Sequence, residues 1–186
     1  LYAYAAMTPD EEEKYKKFTK SIQRRAATIG GNDMNDYPLK MLIFNRARMV
    51  KNSKNRIPFG IELLQKHKRD SWIVFTENKK QAKEFNKIIN TKGYKSAIYN
   101  TDLDNAEREE NLNNFKNGNL SVLVSCTALD EGFDMPEADG AMILSASSSK
   151  RQRIQRMGRV LRITANKQNA LIVTVYSSKT EFDKLR

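Results

Sequence analysis

From residue 70 onward, short and mostly apolar runs alternate with amphipathic stretches. Trp72-Ile73-Val74-Phe75, Ser96-Ala97-Ile98-Tyr99, Val122-Leu123-Val124, Ala141-Met142-Ile143-Leu144 and Ala170-Leu171-Ile172-Val173-Thr174-Val175 have the length and β-branched content of strands. After the first of these, Ala82, Phe85, Ile88 and Ile89 recur at helical spacing, and Leu112 and Phe115 mark a helix ahead of the third. The strands do not alternate apolar with polar, so both faces of their sheet have to be covered. The pattern predicts an α/β fold: a doubly wound, mainly parallel sheet.

Residues 9 to 68 follow a different rhythm and read as helices. Pro9 and the run Asp10 to Glu13 mark a helix start, with Thr8 as its cap and negative charge at the positive end of the dipole. Tyr15, Phe18 and Ile22 follow at helical spacing, and Gly30 to Asp33 break the helix. Met41, Ile43, Phe44, Ala47 and Val50 predict a second helix carrying Arg46, Arg48 and Lys51. Pro58 restarts a third, with Ile61, Leu63 and Leu64 on its buried side. The expected organisation is a helical extension over residues 1–69 and an α/β domain over 70–186.

Composition narrows the function classes. The 186 residues are 39% apolar and 30% charged, as in a soluble globular protein. No apolar stretch approaches the ~20 residues needed to cross a bilayer, and no secretory leader is evident. A single cysteine, Cys126, excludes an internal disulfide, and a single histidine, His67, argues against a metal site. The chain begins at Leu1 rather than Met, so a piece of a longer protein is expected. Lysine and asparagine richness suggests an AT-rich bacterial or viral genome, and with it a cytoplasmic setting.

Charge points to a partner. The formal net charge is +11, which favours a polyanion. Lys150 to Lys167 contain seven basic residues and no acidic one. A solvated helix face normally mixes signs, so this block asks for phosphates.

Ligands of parallel sheets bind in loops beyond the carboxyl ends of the strands. After the third of the five strands comes Ser125-Cys126-Thr127-Ala128-Leu129-Asp130-Glu131-Gly132-Phe133-Asp134-Met135-Pro136. After the fourth comes a stretch from Lys150 to Arg162, in which Gln155, Arg159 and Arg162 recur at steps of four and three and share one helix face. Two fixed cations with forked donors beside an amide suit a triphosphate whose charge is shifting. Gly158 removes a side chain next to that face. The structural alternative is an exposed basic helix, which is the simpler account of Arg153 and Arg156. Cys126, directly after an apolar run, reads as a small buried residue.

These segments resemble the second RecA-like lobe of a superfamily 2 helicase or translocase. The likeness runs from about residue 70 to 176. Trp72 to Thr76 is similar to motif IV, Val122 to Pro136 to motif V, and Gln155 to Arg162 to motif VI. Arg108, Phe115, Lys116 and Gly118 also have the family's usual form. The preceding helices are similar to those joining the lobes in the XPB-like and chromatin-remodeller-like branches. Gly158-Arg159-Val160-Leu161-Arg162 leans the same way, since the DEAD-box branch typically has His at position 155 and Thr-Gly at 160–161. There is no Gly-x-x-x-x-Gly-Lys-Ser/Thr phosphate loop, and Asp130-Glu131 sits inside the motif V segment rather than in a magnesium-binding motif II.

The resemblance implies half of a motor. ATP would sit between this lobe and a first RecA-like lobe of the same polypeptide, which would hold most of the nucleotide and the Mg2+. Arg159 and Arg162 would be arginine fingers, and Gln155 would contact the γ-phosphate or the attacking water. Asp134 would reach the ribose or the partner lobe, and Gly132 would give a tight turn with backbone donors. Thr127 and Thr76 would hydrogen-bond phosphates of the nucleic acid, Thr127 doubling as a helix cap. The implied partner is nucleic acid, DNA in preference to RNA, with double-stranded DNA as the track and no membrane. Two alternatives stand beside this: the motor lobe of a restriction or defence enzyme, and a nucleic-acid-binding module without catalysis.

Overall fold

The computed structural model describes residues 1–31, 33–126, 137–145 and 170–185. The chain forms two compact units. Leu1–Ala3 and Ile57–Val175 make one; Tyr4–Arg56 and Tyr176–Arg186 make the other. The boundary expected near residue 70 thus falls beside a helix, since residues 57–69 belong with the sheet.

The sheet unit holds six strands in the order β1-β6-β5-β2-β4-β3: β1 (Tyr2–Tyr4), β2 (Trp72–Thr76), β3 (Ser96–Tyr99), β4 (Val122–Cys126), β5 (Gly140–Ile143) and β6 (Leu171–Tyr176). All are parallel. Trp72 pairs with Val122 on one side and with Gly140 on the other, and the register continues to Thr76 opposite Cys126. Four of these strands are the apolar runs of the sequence, and β6 is the fifth. The edge strand β1 was not legible because Leu1 to Met7 are apolar throughout, with no alternation of polar and apolar residues to mark a strand. It joins the sheet through its backbone: the Leu1 amino group donates to the Ile172 carbonyl at 2.8 Å, and Thr174 N–H donates to the Leu1 carbonyl at 2.8 Å.

Helices cover both faces of the sheet, as continuously apolar strands require. On one face Ile73, Phe75, Leu123, Ala141 and Ile143 form a cluster with Tyr99 and with Phe115 of α5 (Asn105–Lys116), flanked by Leu112. Met142 and Leu144, one residue out of phase, point to the opposite face. There they meet Gly60 of α3 (Arg56–Lys66) and Phe85 of α4 (Lys79–Thr91). Gly60 is what lets α3 approach so closely: a Cβ there would lie 2.6 Å from Leu144 Cδ1. Pro58 stands at the third position of α3, inside the first turn, where its missing N–H has no intrahelical carbonyl to lose.

The helical unit is built on α1 (Pro9–Thr28) and α2 (Tyr37–Lys51). Thr8 caps α1 in a reciprocal box: the Glu11 N–H donates to Thr8 Oγ1 and the Thr8 N–H to Glu11 Oε2. Glu11 Oε1 also accepts from the Lys54 N–H at 2.9 Å, so one carboxylate serves both helix and loop. The break after α1 uses Gly30 at φ +74°, a conformation that costs other residues more. Asp36 caps α2, accepting from the Leu39 N–H at 2.8 Å. The same carboxylate takes the Arg25 fork, with Nε to Oδ1 at 3.0 Å and Nη2 to Oδ2 at 2.5 Å. This holds the Asp36 carboxyl below its ordinary range, first through Arg25 and then through the Leu39 amide.

A short C-terminal helix, α6 (Lys179–Leu185), completes this unit. Its Glu181 carboxylate accepts from the fully buried guanidinium of Arg56 and from the Ser177 N–H. Arg56 Nε donates to the Val50 carbonyl at 3.0 Å. Tyr176 packs between Tyr4 and Phe182, with ring centroids at 5.4 and 4.8 Å. Polar side chains do much of this work because the segment has few large apolar residues of its own.

Candidate functional site

The strand order reverses at β2, which leads to β3 and β4 on one side and β5 on the other. The carboxyl ends of strands at such a reversal are where α/β sheets bind ligands. Three described ends lie side by side there: Thr76 of β2, Cys126 of β4 directly opposite it, and Leu144-Ser145 after β5. The Leu144 N–H donates to the Phe75 carbonyl at 2.9 Å, which holds the third end against the first.

Local capping shapes this edge. Asn78 starts α4, its side-chain oxygen accepting from the Gln81 N–H at 2.9 Å, while Gln81 Oε1 accepts from the Glu77 N–H at 2.9 Å. The Thr76 hydroxyl is directed at the carbonyls of Asn78 and Ser125, each at 3.3 Å, and the residue is only 3% exposed. Thr76 therefore ties the ends of β2 and β4 together in this conformation. Cys126 beside it is buried.

The end of β3 adds Lys79, Lys83, Asn100 and Asp102, which the sequence did not single out, and Arg108, which it did. Lys79, in the first turn of α4, pairs with Asp102, and Lys83 stands 4.0 Å from the same carboxylate. The hydrogen bond from Lys79 holds the Asp102 carboxyl below its ordinary range, with the charges of Lys79 and Lys83 assisting. Asn100 Oδ1 accepts from the Asp102 N–H at 2.8 Å and so shapes the turn. Among the described residues, Asn100 Nδ2, Arg108 Nε and Ser125 Oγ are buried without a hydrogen-bond partner. Native proteins seldom leave buried donors unmatched, so each of these asks for an acceptor beyond the described residues. The available signal was positional: an Asn and an Asp directly after an apolar strand, at its carboxyl end.

The remaining sequence candidates, Thr127, Gly132, Asp134, Gln155, Arg159 and Arg162, lie outside the described residues. Their segments continue from Cys126 and Ser145, two of the strand ends grouped around Thr76. Among the described residues no three His, Cys, Asp or Glu side chains gather to hold a metal ion. Nor is any described helix long and apolar enough to cross a membrane.

Known proteins share this arrangement. The chain is 28% identical to the DNA 3'-5' translocase XPB2 of Sulfurisphaera tokodaii, over 95% of its own length and 42% of the translocase. It is 29% identical to the ATP-dependent RNA helicase DBP3 of Ajellomyces capsulatus, over 84% of its length and 32% of that helicase. The chain therefore spans less than half of either relative. Its fold matches the C-terminal domain of the DEAD-box protein Dbp5 with a TM-score of 0.66 at 22% identity, covering 73% of this chain and 77% of that one. The family described as "Helicase conserved C-terminal domain" matches residues 55–164, more than half of the chain. The protein belongs to that family, and its parallel sheet is that of the second, RecA-like lobe of superfamily 2 helicases.

Proposed function

We propose that this lobe is one half of an ATP-driven motor that tracks along double-stranded DNA. The observation that carries the reading is the family match, joined to the crowding of the β2, β4 and β5 carboxyl ends at the sheet reversal. The similarity over 95% of the chain to a DNA translocase supports DNA as the track, as does Gln at position 155. The structural likeness to DEAD-box domains supports the fold alone.

In this reading ATP binds between the lobe and a first RecA-like lobe, with Mg2+ held mainly by the latter. Magnesium supplies charge neutralisation on the phosphates; the residues of this chain do the rest. Arg159 and Arg162 deliver planar, forked donors to the γ-phosphate as its charge redistributes. Gln155 holds the γ-phosphate or orients the attacking water. Asp134 reaches the ribose or the facing lobe, and Gly132 supplies backbone donors in a tight turn. Thr127 hydrogen-bonds a phosphate of the tracking strand, a contact that carries no sequence information and can be released at each step. The same role for Thr76 requires its hydroxyl to turn away from the Ser125 carbonyl. The donors of Asn100 and Arg108, unmatched among the described residues, are compatible with a polyanion along the same edge.

The test uses the full-length protein. A cation that meets charge developing in the transition state lowers kcat when removed, with little change in ATP affinity. Arg159→Ala and Arg162→Ala should each cost roughly 10³-fold or more in DNA-stimulated turnover. Lysine should rescue poorly. Arg153→Ala, off the shared face, should alter only DNA affinity. Near-normal turnover in the first two variants would overturn the assignment.

A further inference from the structure

The helix α2 carries a surface that the motor reading does not use. Its inward side buries Leu39 and Val50. Outward, Tyr37, Met41 and Phe44 are 70%, 37% and 54% exposed, and they recur at steps of four and three, so they form one stripe along the helix. Met34, 51% exposed, lies just before it in the chain. Large apolar side chains grouped in this way on an otherwise polar surface mark interaction sites. Thioethers and aromatic rings adapt readily to a partner's contours.

Charge selects the partner. Helix α2 contains Lys40, Arg46, Arg48 and Lys51 and no acidic residue. Arg46 is turned inward, donating to Thr19 Oγ1 at 3.1 Å and lying over the Tyr15 ring. Exposed Lys40 and Arg48 remain along the stripe, with the Lys40 ammonium 6.0 Å from the centre of the Phe44 ring. A second copy of the chain would bring the same cations face to face, which like-charge repulsion disfavours. A duplex offers phosphates to the cations and nothing apolar to the stripe. One ring face of the Phe44 platform is already engaged by Lys40, which leaves less of it for stacking with bases. An amphipathic helix satisfies both features: an apolar ridge of matching pitch for Tyr37, Met41 and Phe44, and carboxylates for Lys40 and Arg48.

We propose that the outward face of α2 is a docking site for an acidic, amphipathic helical segment of another protein. It uses none of the residues assigned to the nucleotide or to DNA, so its failure leaves the motor reading untouched. The probe is a synthetic amphipathic peptide with leucines on one helical face and glutamates beside them; the control has every glutamate replaced by lysine. Anisotropy titrations on the whole chain should show binding of the acidic peptide only, with hydrogen-exchange protection gained in α2. Phe44→Asp and Met41→Asp should each weaken binding by about tenfold or more, as at a central anchor. These side chains are exposed, and an unchanged urea midpoint confirms that the variants stay folded. Arg48→Glu should also weaken it, and a peptide carrying lysine at the facing position should restore binding.

Equal binding of the two peptides, or none of the acidic one, overturns the proposal. So does DNA binding that Phe44→Asp weakens as strongly, since the face is then a nucleic-acid surface. Self-association lost in Phe44→Asp would assign the face to a second copy and overturn it equally.

Discussion

The packing of Trp72 against Gly140 gives a quantitative test of the sheet register. The two residues are cross-strand partners on β2 and β5, and Trp72 is 1% exposed. A Cβ on Gly140 would lie 2.5 to 2.7 Å from three carbons of the indole. Carbon atoms in contact settle near 3.5–4.0 Å, so Gly140→Ala demands a displacement of about 1 Å. A rigid ring, held in a strand paired on both sides, cannot swing away as a leucine tip can. Overpacking of this kind costs about 3 kcal/mol at the upper end of its usual range. Replacing glycine by alanine restricts the unfolded chain and returns up to about 1 kcal/mol. The net expectation is a loss of about 2 kcal/mol, or about 4–8 °C in Tm for a chain of this size.

Trp72 is the sole tryptophan, so its emission reports this contact directly. Urea unfolding should show a midpoint lower by about 1 M with an unchanged slope. Trp72→Phe removes ring carbons from the clash, together with a buried indole N–H that has no hydrogen-bond partner among the described residues. The double variant, followed by circular dichroism, should therefore be more stable than additivity allows by about 1–2 kcal/mol. Gly60→Ala should cost less than Gly140→Ala, because the nearest atom it meets is the end of a leucine side chain, Leu144 Cδ1. A midpoint shift for Gly140→Ala under about 0.3 M, or strict additivity with Trp72→Phe, would refute the register and the reasoning together.

Three further outcomes are expected. Asp36 has a depressed carboxyl, so its pairing with Arg25 stabilises the fold above the ordinary aspartate range and fades as pH falls below about 4; Asp36→Asn should be less stable than the parent at pH 7, and urea midpoints should show the gap closing in acid. Arg56→Ala should cost about 3–5 kcal/mol in the same assay, because it strands the nearly buried Glu181 carboxylate, while the double change to Arg56→Met and Glu181→Leu should cost much less. Binding of the chain to duplex DNA should be weak, indifferent to sequence and steeply reduced by salt, as its +11 charge requires; an anisotropy titration insensitive to salt would contradict this.

The sequence by itself determined the fold class, because mostly apolar strands without alternation, separated by amphipathic helices, call for a parallel sheet covered on both faces. Five runs at helix-sized spacing were enough to declare it. Caps written in local chemistry were equally plain, as with Thr8, Pro9 and Glu11 at the start of α1. The motif order from Trp72 to Arg162 was enough to suggest the lobe by its resemblance to superfamily 2 helicases, and the family match over residues 55–164 agrees with it. What it did not contain were the partnerships made at a distance. The three residues of β1 join the sheet through backbone groups that every residue carries, so no side-chain pattern announces them.

Only tertiary structure decided that Arg56 is buried, because its partner Glu181 lies 125 residues away. It likewise decided which apolar residues of α2 stay outside. Spacing alone counted Met41, Phe44 and Val50 as one helix's apolar set, but α1 packs against the side that carries Leu39, leaving Tyr37, Met41 and Phe44 exposed. Gly140 shows the same division in one residue. In the sequence it is an unremarked glycine before an apolar run; in the fold it is the space that Trp72 fills.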